Sequence, residues 1–379
     1  MASKSRSADR PRSRADVLER PDYGWIWKPL AALAGIYLVA VVALGMWWSR
    51  APAPFDVERA TATQRDAVAA SAAETATAPA QRGAVTVATL MTLIDTLLDK
   101  PGGYLRNDVA PPGVWLDNMP AWEYGVLIQA RELAASLPAM FADEAAGLDA
   151  VQAPLRHDSR DWLFPGTERK LAQARDALGD RLAGLAGEAT GFAATGEGLA
   201  LWLDRVAERL DEQSRQLSAS VADDEIVSQL DVEAAPEETP WYRVDDVFHE
   251  ARGTGWALGQ LMEGVQRDHA DVIAAAGATQ RWERLRMLLE RTQRRMWSPV
   301  VLNGSGFGVF ANHSLVMASH LLQARDLARS LADDLAQRRL EADASEEAEG
   351  EPASTSGAEV SEPEEGGATA SGEDEKDES

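Results

Sequence analysis

Pro29–Trp48 reads PLAALAGIYLVAVVALGMWW, and this stretch sets what the rest of the chain can be. It carries no charged side chain. At about 1.5 Å per helical residue its length is roughly the 30 Å of a bilayer's hydrocarbon core. Inside lipid every backbone N–H and C=O must be satisfied internally, so such a run is read as a transmembrane α-helix. Trp25 and Trp27 precede it and Trp47 and Trp48 close it. Indole rings prefer the headgroup level, so these pairs read as interfacial belts.

Moving outward, residues 1–28 form a basic segment holding Lys4, Arg6, Arg10, Arg12, Arg14, Arg20 and Lys28, offset to some extent by Asp9, Asp16, Glu19 and Asp22. On the far side the near cations are Arg50 and Arg59. The positive-inside rule predicts a cytoplasmic N-terminus and a C-terminal bulk outside the cytoplasm, with the membrane spanned once by residues 29–48. The competing reading is a cleaved signal peptide. Its apolar core would be about 7–15 residues, shorter than this one. The small-residue sequence Ala51-Pro52-Ala53 would also place Pro54 after the cut, a poor cleavage context. The chain has no cysteine, so it forms no disulfide, carries no thiolate and takes no lipid on a cysteine.

The formal net charge is −24 over 379 residues. Clustered Lys and Arg would be needed to neutralise phosphates, so nucleic acid is not an expected partner. Much of the negative charge sits in residues 341–379, with fifteen acids against Lys376 and almost no apolar side chains. Such a segment buries too little surface to offset chain entropy and is predicted to be disordered. Residues 49–82, rich in Ala, Thr and Pro, read as a linker, a stalk or a weak helix.

Residues 83–340 are predicted to form an all-α domain, a helix bundle with one large core or two smaller ones. Val85, Leu90, Leu93, Ile94, Leu97 and Leu98 fall on one helical stripe that stops at Pro101-Gly102-Gly103. Trp122, Val126, Leu127, Leu133 and Leu137 make a second, stopped by Pro138, and a third opens at Pro165 and runs to Leu185. Further helices are predicted over 194–217, 243–275, 279–296 and 309–340, with a loop or seam between subdomains at 218–240. QARELAASL at 129–137 is echoed by QARDLARSL at 323–331, which a duplicated unit or a shared composition would both produce.

Several stretches together resemble one known family: the Trp-bracketed anchor, LLDKPGGYLRNDVAPPGVWLDNMPAWEYGVLIQARELA, DSRDWLFPGTERKL, EARGTGWALGQL and NGSGFGVFANHSLVMASHLL. They are similar to the bacterial envelope proteins of domain-of-unknown-function family 2333, with the likeness covering about residues 23–335. The resemblance implies a single-pass inner-membrane protein. It implies no reaction and supplies no functional residues.

No catalytic set, metal set or cofactor-binding motif is read from the sequence. The ligand-binding candidates are Trp115, Asp117, Asn118 and Trp122, where aromatic faces stand beside a carboxylate and an amide, together with Asn303 and His313 around a glycine-rich loop. Plugging tryptophans and a capped helix would give the first group an architectural role instead. Asn303–Gly308 lacks the strand and the Lys-Ser or Lys-Thr of a phosphate loop, and tight packing accounts for its glycines. His313 and His320 share a helix face without companion ligands, and His249-Glu250 beside Arg252 reads as a charged outer face. The arginines from Arg281 to Arg295 read as a solvated face with internal ion pairs. The expectation is a non-enzymatic interaction or scaffold protein with an unidentified envelope partner, the alternative being a ligand-binding or cell-wall-acting module.

Overall fold

The computed structural model describes residues 24–72, 81–142, 147–186, 191–220, 239–298, 300–304 and 311–350. The basic segment before Gly24, most of the expected seam (221–238), the tip of the glycine-rich loop (305–310) and the acidic residues 351–379 lie outside the described residues. Eleven α-helices occur among those described: α1 Gly24–Trp48, α2 Val57–Ala72, α3 Ala84–Asp99, α4 Asn118–Met140, α5 Leu148–Leu155, α6 Thr167–Leu185, α7 Glu197–Ala219, α8 Val244–Asp268, α9 Ala270–Ala275, α10 Thr279–Thr292 and α11 His313–Gly350. Two isolated bridges, Phe141 with Phe192 and Asn303 with Asn312, are the only extended pairings there. The chain is all-α, as its periodicity predicts.

The stripe in α3 shows why. Leu90, Leu93, Ile94 and Leu97 stand at i, i+3, i+4 and i+7, and all are fully buried. Each such side chain contributes roughly 1.5–3 kcal/mol when removed from water. The helix ends because Lys100 precedes a proline and turns extended, its N–H still reaching the Thr96 carbonyl. At the other end a remote cap closes it: the Asp268 carboxylate, at the end of α8, accepts from both the Thr86 N–H and the Thr86 hydroxyl at 2.7 Å.

α4 is the central strut, packed along α8 and flanked by α7. The α4–α8 crossing is made by glycines. A Cβ on Gly125 would lie 2.1 Å from the Glu250 carbonyl oxygen, and one on Gly253 2.0 Å from that of Trp122. The backbones touch with no side chain between them. α3 packs on α6 and α8, and α5 on α6. α11 is tied to α7 by Arg325–Asp211 (2.5 Å) and to α10 by Arg281–Asp334 (2.5 Å). Most of the buried apolar residues form one continuous cluster from Ala84 in α3 to Leu335 in α11.

Several boundaries differ from the sequence reading. Pro138 does not stop α4, because a proline in the last turn removes one hydrogen bond and the helix runs on to Met140. α6 starts at Thr167, two residues beyond Pro165, where the Thr167 N–H and hydroxyl both reach the Asp161 carbonyl. The helix predicted over 243–275 is broken at His269 into α8 and α9. α5 is absent from the prediction. Residues 57–72, read as stalk or weak helix, form α2 and pack on the domain against α3 and α6, with Gln64 donating to Asp95 at 2.7 Å. α11 continues through residues 341–350, ten residues into the segment expected to be disordered, over a run of Glu and Ala that favours helix.

α1 is unlike the rest. Its apolar side chains face outward almost all round, and over Ile26–Trp48 it is long and apolar enough to cross a membrane. Its last turns meet the domain. The Trp48 ring lies against Gly102, whose φ of +91° only glycine adopts readily and whose absent Cβ would stand 2.7 Å from the indole. A Cβ on Gly45 would sit 3.7 Å from Pro112 and 3.9 Å from Leu116.

Candidate functional site

The segment from Lys100 to Asp117 links α3 to α4 and is held by buried charge. The Lys100 ammonium and Glu123 carboxylate pair at 2.5 Å, both buried. The carboxylate also accepts from the Leu105 N–H at 2.9 and 3.1 Å and from the Arg106 N–H at 2.8 Å. Burial pushes the Glu123 carboxyl upward, while Lys100 and the two amides favour its charged form. The same segment straps the loop before α6. Tyr104 donates to the Ser159 carbonyl (2.9 Å), Arg106 to the Ser159 hydroxyl (3.0 Å), and Asn107 to the Asp161 carbonyl (2.9 Å) and the Glu168 carboxylate (2.8 Å). The Arg106 guanidinium lies 3.9 Å from the centre of the Tyr124 ring.

The sequence candidates separate on this frame. Trp115 stands on a single 3-10 turn, Gly113–Trp115, and is 63% exposed. Asp117 is the N-cap of α4 and accepts from the Asn118 N–H at 2.8 Å. Asn118 begins the helix, half-buried. Trp122 is 2% exposed, its ring edge-on to Trp256 with centroids 5.1 Å apart, so its faces are covered by protein. Asn303 donates to the Ser220 carbonyl (3.2 Å) and accepts from the Ser314 N–H (3.3 Å). His313 accepts the Leu302 N–H at Nδ1 (3.0 Å), which fixes that nitrogen as unprotonated in this contact. Asn312 caps α11 by accepting from the Leu315 N–H at 2.8 Å.

Two of the candidates meet. Asp117 and Asn303 line one cavity of about 540 Å³, together with Tyr242, Asp245, Val300 and Thr239. A second cavity of about 350 Å³ shares Thr239 and is lined by Tyr124, Arg209, Arg243, Asp246 and Glu250. Burial raises the Glu250 carboxyl above its ordinary range, with Gln213 as its hydrogen-bond donor. Burial raises Asp246 too, and the nearby Asp245 and Asp117 carboxylates add to it. In the first cavity the Asp117 and Asp245 carboxylates are acceptors suited to a ligand's O–H or N–H donors, whereas the second mixes Asp246 and Glu250 with the donors Arg209 and Arg243. The sequence reading missed Asp246 and Tyr242 and took Glu250 only as part of a charged helix face. His249, Glu250 and Arg252 are half-buried rather than a solvated face, and burial drives His249 down to about 4. Among the arginines of α10, Arg281 and Arg286 are in ion pairs, the latter with Glu263 at 2.9 Å, while Trp282 is buried and donates to the Met262 carbonyl. Among the described residues no three His, Asp or Glu side chains converge as metal ligands.

The family model described as "uncharacterized protein conserved in bacteria (DUF2333)" matches residues 21–338. No curated protein and no solved structure matches the chain.

Proposed function

The chain belongs to the uncharacterized bacterial family DUF2333, and from that membership and its apolar helix we propose that it is a single-pass inner-membrane protein whose periplasmic α-domain binds an envelope partner rather than catalysing a reaction. The observation that carries this reading is the stretch Ile26–Trp48 of α1, twenty-three residues whose apolar side chains are almost all left unburied by the protein. A surface of that length and composition is stable in lipid and not in water. The charge bias of residues 1–28 supports a cytoplasmic N-terminus. The test is a pair of fusions. Alkaline phosphatase at the C-terminus is expected to be active, and a fluorescent protein that matures only in the cytosol is expected to stay dark there. Resistance of the full chain to carbonate extraction is expected as well. A bright cytosolic C-terminal fusion, or a mature product beginning after Ala53, overturns the reading.

A second reading, a periplasmic ligand-binding or cell-wall-acting module, is supported by the convergence of Asp117 and Asn303 on one cavity with Tyr242 and Asp245. Titrating the full chain in detergent with peptidoglycan fragments tests it. A saturable heat of binding that D117A/N303A removes supports the reading, and no binding at millimolar fragment counts against it.

A further inference from the structure

We propose that the domain makes a second contact with the bilayer, through two apolar fingers, Val109–Trp115 and Trp162–Phe164, inserted in the leaflet from which α1 emerges. The proposal rests on α1 being membrane-spanning. With Trp48 at headgroup level, Gly45 lies three residues deeper, about 4.5 Å along the helix. Pro112 and Leu116 pack against Gly45, and between them in the chain stand Val114 and Trp115, both exposed. Val41, a further turn into the span, is 6% exposed, whereas residues 26–40 are open all round. A loop that touches α1 at that depth is already below the membrane surface, and its exposed side chains there are a valine and a tryptophan.

The second finger is tied to the first. The Asn107 bonds to Asp161 and Glu168 and the Tyr104 and Arg106 bonds to Ser159 fix the loop before α6 against the segment that carries Val109 and Trp115. That loop ends in three successive large apolar side chains, Trp162, Leu163 and Phe164, exposed at 60, 64 and 79%. A solvated loop tip has no use for three such residues in a row. Arg169 lies over the Phe164 ring, 4.3 Å from its centre, so its charged end stands beside the apolar tip where a headgroup phosphate would meet it. The partner is therefore lipid, continuous with the surface that α1 already requires.

The chain has no native cysteine, so single cysteines can be introduced for spin labels. V114C and L163C report the two fingers and I36C reports the centre of α1. L201C is the aqueous reference, exposed on α7 near Gly198, which packs on Ala139 at the far end of α4 from Asn118. Each full-length variant is reconstituted in vesicles of phosphatidylethanolamine and phosphatidylglycerol. Collision with oxygen, which enriches in lipid, is compared with collision with a water-soluble nickel chelate. The oxygen-to-nickel ratio is expected to be several-fold higher at 114 and 163 than at 201, and highest at 36. A water-like ratio at either finger with a lipid-like ratio at 36 overturns the two-finger contact and leaves the anchor intact. Protection from both reagents at 114 and 163 means that protein, such as a second copy, covers the fingers, and overturns the lipid assignment. A water-like ratio at 36 overturns the anchor on which the proposal rests.

Discussion

Glu123 is the residue on which the α3–α4 segment closes, because its one carboxylate answers an ammonium and two backbone amides inside the core. E123A leaves Lys100 charged, buried and unpaired, and is expected to cost roughly 3–5 kcal/mol in denaturant titrations of the detergent-solubilised chain. K100M/E123M removes both charges and is expected to recover some of that loss, the remainder reflecting the amides of Leu105 and Arg106. His269 makes a different prediction. It is buried, stacked on Phe192 and pushed down to about 4 by burial. A base whose folded-state pKa lies below its ordinary 6.5 favours the fold in its neutral form. That contribution is complete above about pH 6.5 and is lost as pH falls through the folded value. The loss amounts to about 3 kcal/mol by pH 4. H269F should flatten the acid limb of a stability–pH curve by about that amount, with His249 supplying what remains. Neither effect was legible in sequence, where Lys100, Glu123 and His269 look like surface residues. Trp115 and Trp122 make the same point: similar in sequence context, they differ because only the second sits on the face of α4 that meets Trp256.

At the scale of elements, the long apolar stripes were legible and the short or interrupted pieces were not. α3, α4 and α7 each repeat a buried position every three or four residues for four turns or more. α5 has eight residues with Pro154 among them, too few for a period to emerge. The QARELAASL echo becomes intelligible here: Ala130, Ala134 and Leu137 in α4 match Ala324, Ala328 and Leu331 in α11, all buried, whereas Gln129 is buried and Gln323 exposed. Both copies therefore bury the same stripe, which a duplicated unit and a shared composition would each produce. The α4–α8 crossing was not legible, since nothing in sequence says that Gly125 and Gly253 come to face partner carbonyls. G125A and G253A are each expected to destabilise by roughly 1–3 kcal/mol, because an added methyl group must push the touching backbones apart. G259A, where a Cβ meets nothing within 4 Å, serves as the neutral comparison under the same urea titration.

For the whole molecule, the long apolar helix and the helical class follow directly from sequence, while the meeting of Asp117 and Asn303 at one cavity depends on long-range packing that no local pattern encodes. The join between anchor and domain also belongs to this scale. Trp48 fills the space over Gly102, and Phe55 on the short connection packs edge-on to Trp256, 5.9 Å between centroids. W48A is expected to leave the domain's unfolding midpoint within a few degrees of the parent and to increase protease cleavage between residues 49 and 56. Equal cleavage rates in vesicles would show that Trp48 does not make the join. A head wedged onto its own stem cannot swivel. With α1 in a bilayer as proposed, it turns only as the stem turns and shows the same side to every neighbour that drifts past in the plane of the sheet.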